Sequence, residues 1–278
     1  MDQLYLKTIM PVLLVAVSAA TAFAGAWTEP RGAFYEKLSY NYYYAHETFD
    51  GGGNRAGTAG NGKFTDNNIS NYAEYGLTDD LTVINALTYK WLENENDDSR
   101  ATAAGIGDVD LGARYKLHES HAGIVSAQVL VKIPGTYGKS DPLPLGNGQV
   151  DAELRFLYGR SLYPFIPGYA NVELGYRWRT DGPADELRYL AEFGLDFTKS
   201  VYGRVKLDGI YSMDNGRKLD GSGNPTATNN FDLGKLDVAV GYKIGPAWGL
   251  ELSCRPDIYG QNTAAGTNYS LAVYYKTP

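Results

Sequence analysis

From residue 106 onward the chain alternates between apolar and polar positions. Val109, Leu111, Ala113, Tyr115 and Leu117 fall on one face of an extended segment, and Asp108, Asp110, Gly112, Arg114 and Lys116 fall on the other. Val125, Ala127, Val129, Val131 and Ile133 alternate in the same way with Ser126, Gln128, Leu130 and Lys132. So do Leu187, Tyr189, Ala191, Phe193, Leu195 and Phe197 with Glu186, Arg188, Leu190, Glu192, Gly194 and Asp196. Segments 150–158, 170–179, 201–211, 235–244, 248–255 and 269–276 repeat the pattern. A period of two sustained over about ten residues is what a tilted strand needs to cross a bilayer.

Three earlier segments are less regular. In 34–45, Phe34, Leu38, Tyr40, Tyr42 and Tyr44 share a face with Glu36. In 64–77, Ile69, Ala73, Tyr75 and Leu77 share one with Asn71, and 81–92 is apolar on both faces. The gaps between segments alternate in length. Long polar gaps near 50–63, 94–104, 138–149, 180–186, 213–230 and 260–267 are separated by short ones near 78–80, 118–122, 163–168, 199–200 and 245–247. Short periplasmic turns and long outer loops are the habit of barrels in the outer membrane. The pattern therefore predicts an all-β fold: a transmembrane antiparallel up-and-down β-barrel of about 12 strands, within 10–14, with both mature termini in the periplasm.

A soluble sandwich would alternate too, but its core could not hold so many charges, and its strands run to about five or six residues. Aromatic residues also gather at segment ends, as at Tyr89 and Trp91, Tyr176 and Trp178, and Tyr274 and Tyr275. That placement matches the aromatic girdles at the two membrane interfaces.

Composition agrees with this reading. Hydrophobic residues make up 44% of the 278, too few for several helical spans and enough for a barrel, where only alternate residues face lipid. The long apolar run at Ile9–Ala24 ends in Ala22-Phe23-Ala24, which has the form of a signal-peptidase site. Residues 1–24 are read as a signal peptide and 25–278 as the barrel, placed in the cell outer membrane. The single cysteine, Cys254, lies on the lipid-facing phase of its strand and forms no internal disulfide. The formal charge of −7 argues against nucleic acid as a partner and weakly favours cations near the pore mouths. The glycine-rich stretches 51–62 and 214–230 read as mobile, exposed loops.

The charged strand faces are the functional candidates. Arg or Lys facing lipid at mid-membrane costs about 2–4 kcal/mol, so charge should turn inward. This makes Asp108, Asp110, Arg114, Lys116, Lys132, Asp151, Glu153, Arg155, Glu173, Arg177, Arg188, Glu192, Arg204 and Asp208 candidate lumen-lining residues. Lys206, Asp237, Lys243, Glu251 and Arg255 share their phase. Two readings fit. The residues line a polar pathway, or they form a salt-bridged network that fills a closed structural barrel with no transport. No enzyme activity, cofactor or metal is expected. His118 and His121 flank Glu119 in a short turn and are too few ligands for a metal site. His46 has no serine in a nucleophile context nearby, and Glu93, Glu95, Asp97 and Asp98 read as a solvated acidic loop.

One stretch is more specific. Gly105-Ile106-Gly107-Asp108-Val109, Leu111-Gly112 and Arg114-Tyr115 are followed by Lys132-Ile133-Pro134-Gly135-Thr136, then Leu145-Gly146-Asn147-Gly148 and Asp151. This order resembles the outer-membrane β-barrel family named for the meta-cleavage (MetA) pathway of phenol degradation, a transporter-like family. It departs from the family at Pro134-Gly135-Thr136, where the usual order is Pro-Thr-Gly. The resemblance implies a channel or transporter-like barrel for passive passage of small, hydrophobic or aromatic molecules. The partners expected are outer-membrane lipid, lipopolysaccharide and a small solute. The 138–149 loop reads either as a constriction or as a loop anchor.

Overall fold

In a lipid bilayer every backbone N–H and C=O must be paired within the protein, and a closed sheet does this without edges. The computed structural model shows such closure: twelve antiparallel staves around one lumen. It describes residues 25–138, 140–180, 182–214 and 230–278. The predicted leader and most of the 214–230 loop lie outside the described residues.

The first strands are β1 (Phe34–Phe49), the short β2 (Arg55–Gly57), β3 (Lys63–Gly76), β4 (Leu81–Glu95), β5 (Arg100–Ile106) and β6 (Val109–Ser120). There follow β7 (Gly123–Ile133), β8 (Asp151–Ser161), β9 (Gly168–Arg179) and β10 (Glu186–Asp196). The last four are β11 (Val201–Ser212), β12 (Asp232–Ile244), β13 (Trp248–Gln261) and β14 (Thr263–Lys276). Leaving aside β2 and β5, each pairs with the next around the barrel, and β14 returns to β1 in a register running from Tyr35 opposite Lys276 to Phe49 opposite Thr263. β5 and β6 share one stave. β5 pairs with the outer half of β4 and β6 with its inner half, broken at Gly107–Asp108. β2 only folds back on the outer end of β1.

The alternation decides which residues meet lipid. Leu111, Val129, Phe156, Leu174, Val205, Val240, Leu252 and Leu271 are all exposed on the outer wall. So broad an apolar belt is stable only against hydrocarbon. Tyr89 packs on Trp91 and Tyr176 on Trp178 toward the loop end, and Trp248 packs on Tyr275 at the turn end. Two polar residues on this face, Asn71 and Glu36, answer each other: the Asn71 amide donates to the Glu36 carboxylate at 2.6 Å.

Three expectations need correction. The gaps at 94–104 and 260–267 are mostly strand: β5 begins at Arg100, and β13 and β14 join through Asn262 alone, in a left-handed conformation with φ of 55°. The stretches are rich in Ala, Thr and Gly, so no hydrophobic alternation marks them, yet their backbones keep pairing with neighbouring strands. Outer connections therefore differ in length far more than the gap pattern implied. Second, Tyr274 does not belong to a girdle. It faces inward, buried with Tyr35 and Tyr202. Third, the residues that follow the predicted leader do not simply hang outside the barrel. Segment 25–29 enters the lumen from the turn end: Ala26 is fully buried against Ile124 and Leu157.

Inward tyrosines fit only because glycine faces them. A Cβ at Gly241 would overlap the Tyr202 ring, and one at Gly249 would overlap Tyr274. Gly241→Ala should therefore cost about 1–3 kcal/mol, measured by urea unfolding of the barrel in lipid vesicles. Gly182→Ala, with open space around it, should stay within about 0.5 kcal/mol. Equal unfolding midpoints for the two variants would contradict this account of the lumen.

Candidate functional site

The inward faces of the strands differ around the barrel. β1, β3 and β4 supply small neutral groups such as Ser39, Asn41, Asn68, Ser70 and Thr88, which line the outer half of the lumen. Asn41 donates to both Asn68 and Ser70, at 2.9 and 3.0 Å. β6 to β10 supply a charged wall. Arg155 binds Glu173 at 2.6 Å and Glu153 at 2.7 Å; Arg177 also reaches Glu153, at 2.8 Å. Lys132 sits between Asp151 at 2.8 Å and Asp108 at 3.2 Å. Arg188 and Arg179 both bind Glu186, at 2.8 and 2.9 Å.

A second network crosses from β10 to β1. Arg204 binds Glu192 at 3.0 Å and Glu251 at 2.9 Å, and Lys37 binds Glu251 from the other side. Among the described residues every such inward ion pair lies within one strand or joins neighbouring or next-but-one strands, so the pairs run along the wall and not across the bore. Carboxylates and guanidinium groups removed from water need partners of this kind, because an unpaired charge there is strongly destabilising.

What remains open forms two chambers. The outer one, of 620 Å³, is bounded by β1, β3, β4 and β11–β14. The inner one, of 390 Å³, lies against Arg114, Arg155, Arg177 and Arg188, with Gly25 at its wall. Lys37, Tyr72, Arg204 and Lys206 line both and form the waist between them.

The fourteen sequence candidates take different places. Asp110, Arg114, Arg155, Glu173, Arg177, Arg188, Glu192 and Arg204 line the inner chamber. Glu153, Asp151 and Lys132 stand behind it as buried partners. Asp208 lies beside Lys206 at 3.9 Å. Asp108 stands at the break between β5 and β6. Lys116 sits at the turn-end rim, bound to Asp80 at 3.1 Å and Glu119 at 2.9 Å. Lys37, Glu74, Lys235 and Asp257 are additional inward charges. The first two fall in the irregular early segments. Lys235 follows a register shift after Gly234, and Asp257 lies beyond the predicted strand end. Carrying the alternation past residue 255 would have found Asp257.

Both ends of the lumen are narrowed by chain. At the turn end, the Ala26 N–H donates to Asn171 at 3.1 Å, the Ser126 hydroxyl donates to the Ala26 carbonyl, and Arg114 donates to the Trp27 carbonyl at 2.8 Å. Trp27 meets the Tyr169 ring edge-on at 5.8 Å. At the loop end, Leu143 and Leu145 turn inward and are buried against Phe64 and Leu92. Tyr137 anchors this loop by donating to Asp108 and accepting from the Gly148 N–H at 2.8 Å. Burial and the bond to Asp108 push the Tyr137 phenol above its ordinary range. Anchor and constriction are thus features of one loop.

A closed barrel with a lipid belt, two aromatic girdles and a chambered polar lumen is an outer-membrane β-barrel protein. Residues 40–273 match the model of the family described as "Putative MetA-pathway of phenol degradation". The chain belongs to this family. It is similar in fold to the COG4313 outer membrane channel from Pseudomonas putida F1, at a TM-score of 0.70 and 19% identity over 91% of this chain and 98% of that one. It is also similar to the transport unit of the autotransporter AIDA-I from Escherichia coli, at a TM-score of 0.50 and 12% identity over 89% of this chain and 91% of that one. No curated protein sequence matches the chain.

Arg114 and Glu74 are each only 2% exposed and are joined at 2.9 Å. Glu74→Gln leaves the guanidinium buried without its counter-charge. The variant should lose about 3–5 kcal/mol of unfolding free energy in vesicles. It should also loosen segment 25–29, which Arg114 holds, and so speed proteolysis near Trp27. A variant as stable and as resistant as the parent would show that the pair is not what holds the segment.

Proposed function

We propose that this chain is an outer-membrane channel for the passive passage of small molecules, delivered by a signal peptide cleaved after Ala24. The observation that carries the proposal is the waist. Two chambers share four lining residues, and most of the charges around them are paired along the wall, so the bore is left to water and solute. Mixed signs along the wall lower the cost of passing a polar molecule through a low-dielectric membrane. The P. putida protein of the same fold is itself a channel, which supports the reading. No residue is assigned a catalytic role. The outer loops face lipopolysaccharide and the apolar belt faces lipid.

The second reading, a closed structural barrel, has one observation in its favour. Segment 25–29 is seated in the inner end by several hydrogen bonds. Planar-bilayer recordings separate the two. The full mature chain should conduct potassium chloride in small steps, and deletion of residues 25–29 should raise the step size. Absence of conductance from both proteins, together with no solute-driven swelling of vesicles, would sink the channel reading.

A further inference from the structure

The outer chamber is cationic although the chain as a whole carries −7. Six cationic side chains line it against three carboxylates. Net charge says little about which side chains face the bore. Four of the six cations are committed. Lys37 and Arg204 hold Glu251, Lys90 binds Asp66 at 3.3 Å, and Lys206 approaches Asp237 at 3.7 Å.

The other two are Lys235 on β12 and Arg255 on β13. Neither has an ion pair or side-chain hydrogen bond among the described residues. They are near neighbours: Lys235 stands opposite Asp257, and Arg255 lies two residues from Asp257 on the same inward face. One oxygen of Asp257, Oδ2, is doubly engaged. It accepts from the Tyr43 hydroxyl at 2.8 Å and the Gly266 N–H at 2.9 Å. Asp208, opposite Lys235 on β11, shares its carboxylate with Lys206 at 3.9 Å. Two half-buried cations therefore face the chamber with open donor capacity.

Above them, toward the loop end, the lining changes character. Leu233 precedes Lys235 on the same inward phase, with Phe231 beyond it, and both line the chamber with Phe64 and Tyr43. Phe231 and Leu233 pack with Phe49 and Ala265, while Tyr43 packs on Phe64 at 6.2 Å between ring centres. An apolar, largely aromatic collar thus sits over an open cation pair.

We propose that the outer chamber is a binding site for a small organic carboxylate with a ring-sized apolar body. The carboxylate lies between Lys235 and Arg255, and the body lies against Tyr43, Phe64, Phe231 and Leu233. Arg offers a fork of donors to one carboxylate oxygen or both, and Lys adds a point charge. The collar desolvates the ring. The proposal deepens the channel reading by naming a solute class, and it rests on that reading only for the solute's onward passage.

The test is equilibrium binding of benzoate to the full mature chain in detergent, by titration calorimetry. Benzoate should bind. Benzyl alcohol, which lacks the charge, and acetate, which lacks the ring, should each bind about tenfold or more weakly. The Lys235→Gln/Arg255→Gln double variant, confirmed folded by heat-modifiable gel migration, should lose benzoate affinity by a similar factor. Absence of benzoate binding, equal binding of benzyl alcohol, or unchanged affinity in the double variant would each overturn the proposal. The ligand comparison needs no variant, so it stands if the double variant fails to fold. Benzoate binding by a chain that, with or without residues 25–29, neither conducts ions nor supports solute-driven swelling would uphold the site and defeat the channel reading.

Discussion

Closure of β1 on β14 is the constraint on which the rest depends. Hydrocarbon offers no partner to a backbone amide, so the sheet must end where it began. Once it closes, each stave has one face in lipid and one in a confined interior, and the sequence must sort its side chains accordingly. The apolar half becomes the belt. The charged half becomes a lumen in which most ions find partners and which they do not fill.

That sorting explains the form of the networks. Arginine and carboxylate residues on adjacent strands are already within reach, so pairing along the wall requires little ordering of long side chains beyond what the sheet imposes. Pairs reaching across the bore would demand more. Wall pairing stabilises the barrel and leaves volume in its centre, so the same interactions serve both stability and passage. Where pairing is incomplete, at Lys235 and Arg255, the interior keeps a capacity to bind something from outside.

The two ends of the lumen are governed differently. At the loop end, apolar side chains that lie above the bilayer have no lipid to face. Leu143, Leu145, Phe64 and Leu92 therefore bury one another and draw the loop inward. At the turn end, a short segment before β1 finds buried donors and acceptors on β4, β6, β7 and β9 and settles among them. Neither arrangement depends on the strand period.

The alternation of Val109 to Leu117 with Asp108 to Lys116, repeated through most of the chain, was enough to predict an antiparallel barrel of about twelve strands and to sort its residues onto two faces. Two residues per repeat leave no third direction, so the assignment is local. Glu36 and Asn71 looked like errors in that pattern until the register brought their side chains together. The true ends of β13 and β14, the inward turn of Tyr274 over Gly249 and the seating of Ala26 required the tertiary structure. So did the openness of Lys235. Each depends on contacts between residues far apart in the chain, whose distances follow from barrel closure and leave no trace in a local period.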